Sequence, residues 1–325
     1  MTDSSLLIIH QGSLGDVVLT FPAVIALRKK FSRIDILCQH QQGKLTAHLK
    51  LIEKWYPLES AAFASLFSDQ IEGKIKDLIC SFTDILIFSF TGDLKKSISR
   101  VTARRCFQIP PRPPARDKIH VAEFLFNNLI DCGLLEANDS NKKIFTLHRG
   151  PGPDAGRPRN AAKVIIHPGS GSVRKRWPLA RFLKVADVLE KRGLQPQMIC
   201  GPAESDLADE LRSQERPVYH LNELTDLVEW LEPAGGYIGN DSGVSHLAAF
   251  LGLPSVVIFG PADPVRWKPL GPRVEIVRPE LDCNPCFEIE PENCPLPACL
   301  VDASLEAVLA AFDRVYRGET KFVSS

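Results

Sequence analysis

Twice, the chain runs from a short β-prone apolar segment through a glycine loop into a helix-patterned stretch, and that repeat restricts the fold more than any other feature. The first pass reads LLIIH (6–10), then QGSLGD, then a helical pattern closing near Phe31. The second reads AKVIIH (162–167), PGSGSVRKRWP, and LARFLKVADVLEKRG (179–193), which ends on a glycine stop. Further strand-like runs are RIDILC (33–38), DILIFSF (84–90), QPQMICG (195–201), GGYIGN (235–240) and SVVIFG (255–260). Helical spacing recurs in VAEFLFNNLIDCGLL (121–135), ELTDLVEWL (223–231) and GVSHLAAFLG (243–252). Such alternation predicts parallel sheets with helices on both faces.

A length of 325 residues suits two cores rather than one. Between the two passes, RGPGPDAGRPRN (149–160) holds three prolines and three glycines and predicts irregular chain. The expectation is therefore two doubly wound α/β domains, 1–150 and 161–325, joined by a linker over 151–160 and facing a cleft. In open sheets of this kind, ligands sit beyond the carboxyl ends of the strands. The glycine loops fall there.

Composition excludes some functions. The formal net charge is +0, so nothing global draws the chain to nucleic acid. No apolar run approaches the roughly 20 residues of a membrane span, and the first residues lack a basic-then-apolar signal, which predicts a cytoplasmic protein. Of nine cysteines, five (Cys38, Cys80, Cys106, Cys132, Cys200) are scattered among apolar or mixed segments and read as small buried side chains.

Three loops could carry chemistry. In Gly12-Ser13-Leu14-Gly15-Asp16 there is neither a P-loop nor a dinucleotide fingerprint. Asp16 reads as a cap for the next helix or as a general base, and the two roles are compatible, since capping keeps the acid ionised. In KVIIHPGSGSVRKRWP (163–178), Gly169 and Gly171 suggest a dinucleotide loop, but Arg174 stands where a third glycine belongs. Ser170 and Ser172, followed by Arg174, Lys175 and Arg176, fit an anionic leaving group or a solvated basic turn. In GNDSGVSHLAAFLG (239–252), Ser242 suits an N-cap and Gly243 a bare first turn, which together make an anion site. Asp241 could accept from ribose or orient His246, which could equally be a buried structural histidine. Glu204 and Asp263 each follow a strand end; Glu204 reads as a ribose-binding acid or as a cap.

Taken in order, GSLGDVVLTFPAVIALRKKF, HPGSGSVRKRWPLARF, GNDSGVSHLAAFLGLPSVVIFGPADPVRW and a later cysteine segment resemble glycosyltransferase family 9, the ADP-heptose:lipopolysaccharide heptosyltransferases. The resemblance implies the GT-B fold, two Rossmann-like domains facing a cleft, with acceptor bound by the first and nucleotide sugar by the second. It implies Asp16 as the base for the acceptor hydroxyl and Lys175 as the cation on the donor phosphates. It further implies donor contacts from Ser170, Glu204, Asp241, Ser242, Gly243 and His246, the last four-residue set matching the motif D-[ST]-G-x-x-H. On the acceptor side stand His10, Gly12, Ser13 and Gly15. The implied reaction is an inverting displacement without cofactor or metal, from ADP-heptose to an anionic lipopolysaccharide core acceptor. Two positions depart from the family: His10 replaces an arginine or lysine, and Ala262 replaces a frequent threonine.

The stretch 95–118 holds Lys95, Lys96, Arg100, Arg104, Arg105, Arg112, Arg116 and Lys118 against one acid, Asp117. Its proline run PPRPP is expected to form an exposed loop, and its cations either to grip acceptor phosphates, through Arg104 and Arg105, or to be merely solvated, and to favour contact with the cytoplasmic face of the inner membrane. Near the end, Cys283, Cys286, Cys294 and Cys299 are spaced C-x2-C-x7-C-x4-C, which admits a structural zinc, disulfides or free thiols. Two other functions remain open on the residues alone: an NAD(P)-dependent oxidoreductase, from Gly169-x-Gly171, and a non-catalytic nucleotide-sugar-binding protein.

Overall fold

The computed structural model describes residues 4–68, 70–137, 159–280, 285–288 and 298–318. Among these the chain divides into two compact units: residues up to 114 with 121–137, and residues 115–120 with everything from 159 onward.

In the first unit, β1 (Ser5–His10), α1 (Leu14–Leu27), β2 (Arg33–Cys38), α2 (His40–His48), β3 (Lys54–Pro57), α3 (Gly73–Cys80), β4 (Asp84–Phe88), α4 (Asp93–Ser99), β5 (Arg105–Ile109) and α5 (Val121–Asp131) follow one another. The five strands form one sheet in the order β3-β2-β1-β4-β5, parallel throughout. Continuous burial of β1 and β4 explains their unbroken apolar sequences, because helices cover both faces of a parallel sheet.

The second unit contains β6 (Asn160–His167), α6 (Leu179–Lys191), β7 (Gln195–Cys200), α7 (Ser205–Ser213), β8 (Val218–His220), α8 (Leu224–Leu231), β9 (Ala234–Asn240), α9 (Gly243–Phe250), β10 (Ser255–Ile258), α10 (Pro264–Trp267), β11 (Val274–Val277), α11 (Ala298–Val301) and α12 (Leu305–Arg317). Its parallel sheet has the order β11-β10-β9-β6-β7-β8.

Both sheets reverse their winding beside their first strand. β1 pairs β2 on one side and β4 on the other, and β6 pairs β7 and β9. The loops after β1 and β6 therefore leave at topological switch points, where an open sheet leaves room for a ligand.

Several expectations need adjusting. The basic stretch 95–118 has the expected loop at its proline run, while its start is helical. Leu94 and Ile98 are buried at helical spacing, so its lysines ride on the outside of α4, and Arg105 opens β5. Residues 110–120, with the proline run, carry no helix or strand. The six residues 115–120 pack with the second unit: Lys118 Nζ lies 2.6 Å from Asp263 Oδ2, Arg266 donates to the Asp117 carbonyl at 2.6 Å, and His120 Nε2 meets the Lys268 carbonyl at 2.8 Å. Of the expected linker, 151–158 lies outside the described residues; Arg159 donates to the Leu251 and Gly252 carbonyls, and Asn160 already belongs to β6. No helix among the described residues is long and apolar enough to cross a membrane.

Candidate functional site

In the first unit, the chain leaves β1 at His10 and turns over Gly12 into α1. Asp16 sits in the first turn of α1, where the exposed N–H groups and the helix dipole favour a carboxylate. Ser13 donates to Asp16 Oδ2 twice, from its backbone N–H at 2.9 Å and its hydroxyl at 2.7 Å. Both bonds fall on one oxygen, so the carboxylate is oriented while Oδ1 stays open. Ser13 thereby acts on Asp16, with both its donors committed there.

His10 is fully buried, its ring 5.2 Å from that of Phe88. The Gly12 N–H donates to His10 Nδ1 at 3.0 Å, so the neutral ring carries its proton on Nε2. That Nε2 is buried with no hydrogen-bond partner among the described residues. Burial lowers the His10 pKa to about 4 against the opposing pull of Asp16. His10 is therefore an uncharged neighbour of the acid. A Cβ on Gly12 would lie 2.6 Å from His10 Cε1 and 2.7 Å from Asp16 Cβ, so only glycine lets these two side chains close over the turn. Gly15 is in the first turn of α1. Arg104 is exposed, and Arg105 pairs with the buried Asp84 at 2.6 Å.

In the second unit, three loops meet at the carboxyl ends of β6, β7 and β9. The loop after β6 turns through Ser172, whose hydroxyl accepts from Arg174 N–H, and delivers Lys175 to the Asp241 carboxylate at 2.8 Å. Ser170 is buried and donates its hydroxyl to the Asp241 carbonyl at 2.8 Å, joining the β6 and β9 loops. Burial raises the Asp241 carboxyl above the usual range, while Lys175 pulls the other way. Ser242 caps α9, accepting from Ser245 N–H, so the amide of Gly243 begins the helix. His246, on the same first turns, is buried; burial lowers its pKa to about 3, with His120 and Lys175 adding to the effect. Its Nδ1 has no hydrogen-bond partner among the described residues.

Glu204 accepts from Gly201 N–H at 2.7 Å and lies 3.6 Å from His167 Nε2. Burial pushes its carboxyl up, but His167, the Gly201 amide and Arg176 outweigh that and lower the pKa to about 2. A Cβ on Gly169 would stand 2.5 Å from the Glu204 carboxyl, so the glycine lets the β6 loop pass directly over this acid. The companion acid Asp263 is a cap: it accepts from Val265 N–H at 3.0 Å and pairs with Lys118.

The arrangement supplies a cation held on a buried carboxylate, the start of a capped helix and, within electrostatic reach of that cation, a neutral imidazole, a setting suited to an anion such as a diphosphate. It gathers Ser170, Lys175, Asp241, Ser242, Gly243 and His246, with Glu204 beneath Gly169 in the same unit.

Some contributors were not singled out from sequence. Asn240 is wholly buried: it donates to the Pro168 carbonyl at 2.7 Å and accepts from Trp177 N–H at 2.9 Å, fastening both ends of the β6 loop. A polar residue closing the glycine-rich apolar strand GGYIGN was the available signal. Phe287, a lone aromatic among the cysteines, lies over Lys175 with its centroid 4.2 Å from Nζ. Ala262 belongs to an apolar cluster with Val257 and Phe259 against which Phe287 packs, an environment that suits a methyl better than a hydroxyl. Of the four clustered cysteines, Cys283 and Cys294 lie outside the described residues; Cys286 carries a free thiol and Cys299 is buried. Among the described residues no group of three or more His, Cys, Asp or Glu could hold a metal ion.

Comparison with known proteins adds an independent line. The family model "Glycosyltransferase family 9 (heptosyltransferase)" matches residues 136–296. Two Escherichia coli proteins named lipopolysaccharide heptosyltransferase 3 align with the chain. One is 35% identical over 113 residues, a match spanning only a third (33%) of each protein. The other is 26% identical over 290 residues, covering 78% of this chain and 83% of the relative. A glycosyltransferase family 9 structure from Veillonella parvula superposes with a TM-score of 0.75 over 98% of both chains at 17% identity. The Escherichia coli ADP-heptose lps heptosyltransferase II does so with 0.71, over 97% of this chain and 99% of that one, at 16% identity. The shared fold is GT-B, two α/β units each built on a parallel sheet. The ordered loops, the two sheets and these matches agree: the chain belongs to glycosyltransferase family 9, the heptosyltransferase family.

Proposed function

We propose that the protein transfers a heptose from ADP-heptose to an anionic acceptor of the lipopolysaccharide core, with inversion at the anomeric carbon. The observation that carries the reading is the pairing of Lys175 with Asp241 at 2.8 Å directly before the Ser242-capped start of α9, with the buried His246 of that helix within electrostatic reach of Lys175. Lys175 and the α9 amides offset the charge that builds on the departing diphosphate, and Glu204 takes the ribose hydroxyls. The neutral His246 hydrogen-bonds the donor without adding charge. A relative whose structure is named for ADP-heptose supports the choice of donor, and relatives named lipopolysaccharide heptosyltransferases support the acceptor class.

Asp16 is the base in this reading. Ser13 holds Oδ2, leaving Oδ1 to accept the acceptor hydroxyl's proton as that oxygen attacks the sugar. Buried and uncharged, His10 contributes no cation to the acceptor side. The 1–150 portion binds the acceptor and the 161–325 portion the donor, with Arg104 and Arg105 meeting acceptor phosphates from the surface near β5. The protein works in the cytoplasm, at the inner face of the inner membrane.

A binding screen of ADP, UDP, GDP and NAD(H) by calorimetry tests the donor assignment. ADP is expected to bind and to lose affinity in Lys175→Ala. Preference for NAD(H) over ADP would instead favour the oxidoreductase.

A further inference from the structure

Phe287 is more than a hundred residues along the chain from Lys175, yet its ring covers that lysine's ammonium. The four residues 285–288 are anchored on both sides of it. Cys286 and Phe287 donate their N–H groups to the Pro261 carbonyl at 2.9 and 3.1 Å. Glu288 accepts from Arg266 Nε and Trp267 Nε1, each at 2.9 Å. Phe287 itself packs against the cluster of Val257, Phe259 and Ala262. Its centroid is 4.2 Å from Lys175 Nζ and 5.7 Å from the Arg174 guanidinium carbon.

A lysine stem has several rotatable bonds, and fixing its ammonium costs entropy. Asp241 holds that ammonium from one side at 2.8 Å. An aromatic face attracts it from another without accepting a conventional hydrogen bond. Of three N–H donors, the carboxylate needs one, which leaves two for phosphate oxygens. We propose that Phe287 is a positioning residue for Lys175, holding the ammonium where the donor diphosphate is to bind while leaving its N–H groups available. The cysteine-bearing segment thereby takes part in setting donor affinity. This inference rests on the donor assignment above.

Two measurements test it. In the first, surface and site lysines of the unaltered protein are reductively methylated with 13C-formaldehyde. The Lys175 methyl resonance is identified by its disappearance in Lys175→Arg. The ring is expected to displace it upfield, with the displacement lost in Phe287→Leu and kept in Phe287→Tyr. A Lys175 resonance at the ordinary lysine position in the unaltered protein overturns the proposal.

In the second, ADP and adenosine binding are compared by calorimetry. Phe287→Leu is expected to weaken ADP roughly three- to tenfold and leave adenosine unchanged, with Phe287→Tyr restoring ADP affinity. Equal losses for ADP and adenosine, or an unchanged ADP affinity, contradict the positioning role. An unaltered protein that shows the ring-displaced resonance but binds no ADP would overturn the donor assignment and leave the Phe287–Lys175 contact standing.

Discussion

Ser13 donates both its backbone N–H and its hydroxyl to the same oxygen of Asp16, at 2.9 and 2.7 Å. In the proposed mechanism the cap and the base are the same side chain: Oδ2 finishes the helix start and Oδ1 takes the substrate proton. Asp16→Asn separates the two roles, because an amide oxygen still accepts from Ser13 but is not basic. Turnover is expected to fall by about 10²–10⁴-fold while the melting temperature stays close to that of the parent. Asp16→Ala loses turnover and also about 0.5–2 kcal/mol of stability. Turnover that survives in Asp16→Asn removes Asp16 as the base.

Gly169 passes directly over Glu204, and the space for a Cβ is taken by the acid's carboxyl at 2.5 Å. Gly169→Ala is expected to displace Glu204 from the Gly201 amide and weaken nucleotide binding by about tenfold. Calorimetry with ADP reads the effect. The fold should persist, since the displaced group is a side chain. An unaltered ADP affinity would show that Glu204 does not need that position.

Asn240 joins Trp177 N–H to the Pro168 carbonyl inside the second unit. Asn240→Ala leaves both groups buried without a partner, a cost of about 2–4 kcal/mol. Urea unfolding followed by tryptophan fluorescence measures it. A change below about 0.5 kcal/mol would mean that the loop is fastened elsewhere.

How much of this was legible in the sequence differs between backbone and side chains. The span RIDILC was read as a strand at its observed bounds, and β1, β6, β7 and β9 lie within a residue or two of expectation, because buried parallel strands are short apolar runs. The pieces passed over include α2, whose sequence HQQGKLTAH is polar, the four-residue β3, and α4 inside a basic stretch, whose periodicity is weak and which the sheet beside them fixes. Also passed over are α3, β5, α7, β8, α10, β11, α11 and α12, although α12 buries Val308, Ala311, Phe312 and Val315 at helical spacing. For the site, Ser242 as a cap and Asp16 in a first turn followed from spacing alone. Phe287 over Lys175 did not, since sequence separation conceals a contact made through the Pro261 carbonyl. Nor did the full burial of His10, which depends on how β4 brings Phe88 beside it.

Acid should weaken both units. His10 and His246 have folded-state pKa values lowered from 6.5 to about 4 and about 3. Below pH 6.5 the unfolded chain binds protons that the folded one refuses, so stability falls as pH drops through that window. The slope approaches about 1.4 kcal/mol per pH unit for each histidine. Glu204 acts at lower pH: its stabilisation is complete above about pH 4.5 and is lost as pH falls toward its folded value of about 2. Melting curves at pH 7, 6 and 5 should show a falling midpoint, less steeply in His10→Asn, whose amide oxygen can replace Nδ1 as acceptor for the Gly12 amide. A pH slope in His10→Asn and His246→Asn identical to that of the unaltered protein would refute the assignment.

Glycosyl transfer is measured as ADP release from ADP-heptose with and without a lipopolysaccharide core acceptor, with the product followed by mass spectrometry. Acceptor-dependent ADP release and a product heavier by one heptose residue are expected, with both lost in Asp16→Asn and Lys175→Ala. Release of ADP that ignores the acceptor, or an unmodified acceptor after complete donor consumption, would contradict glycosyl transfer.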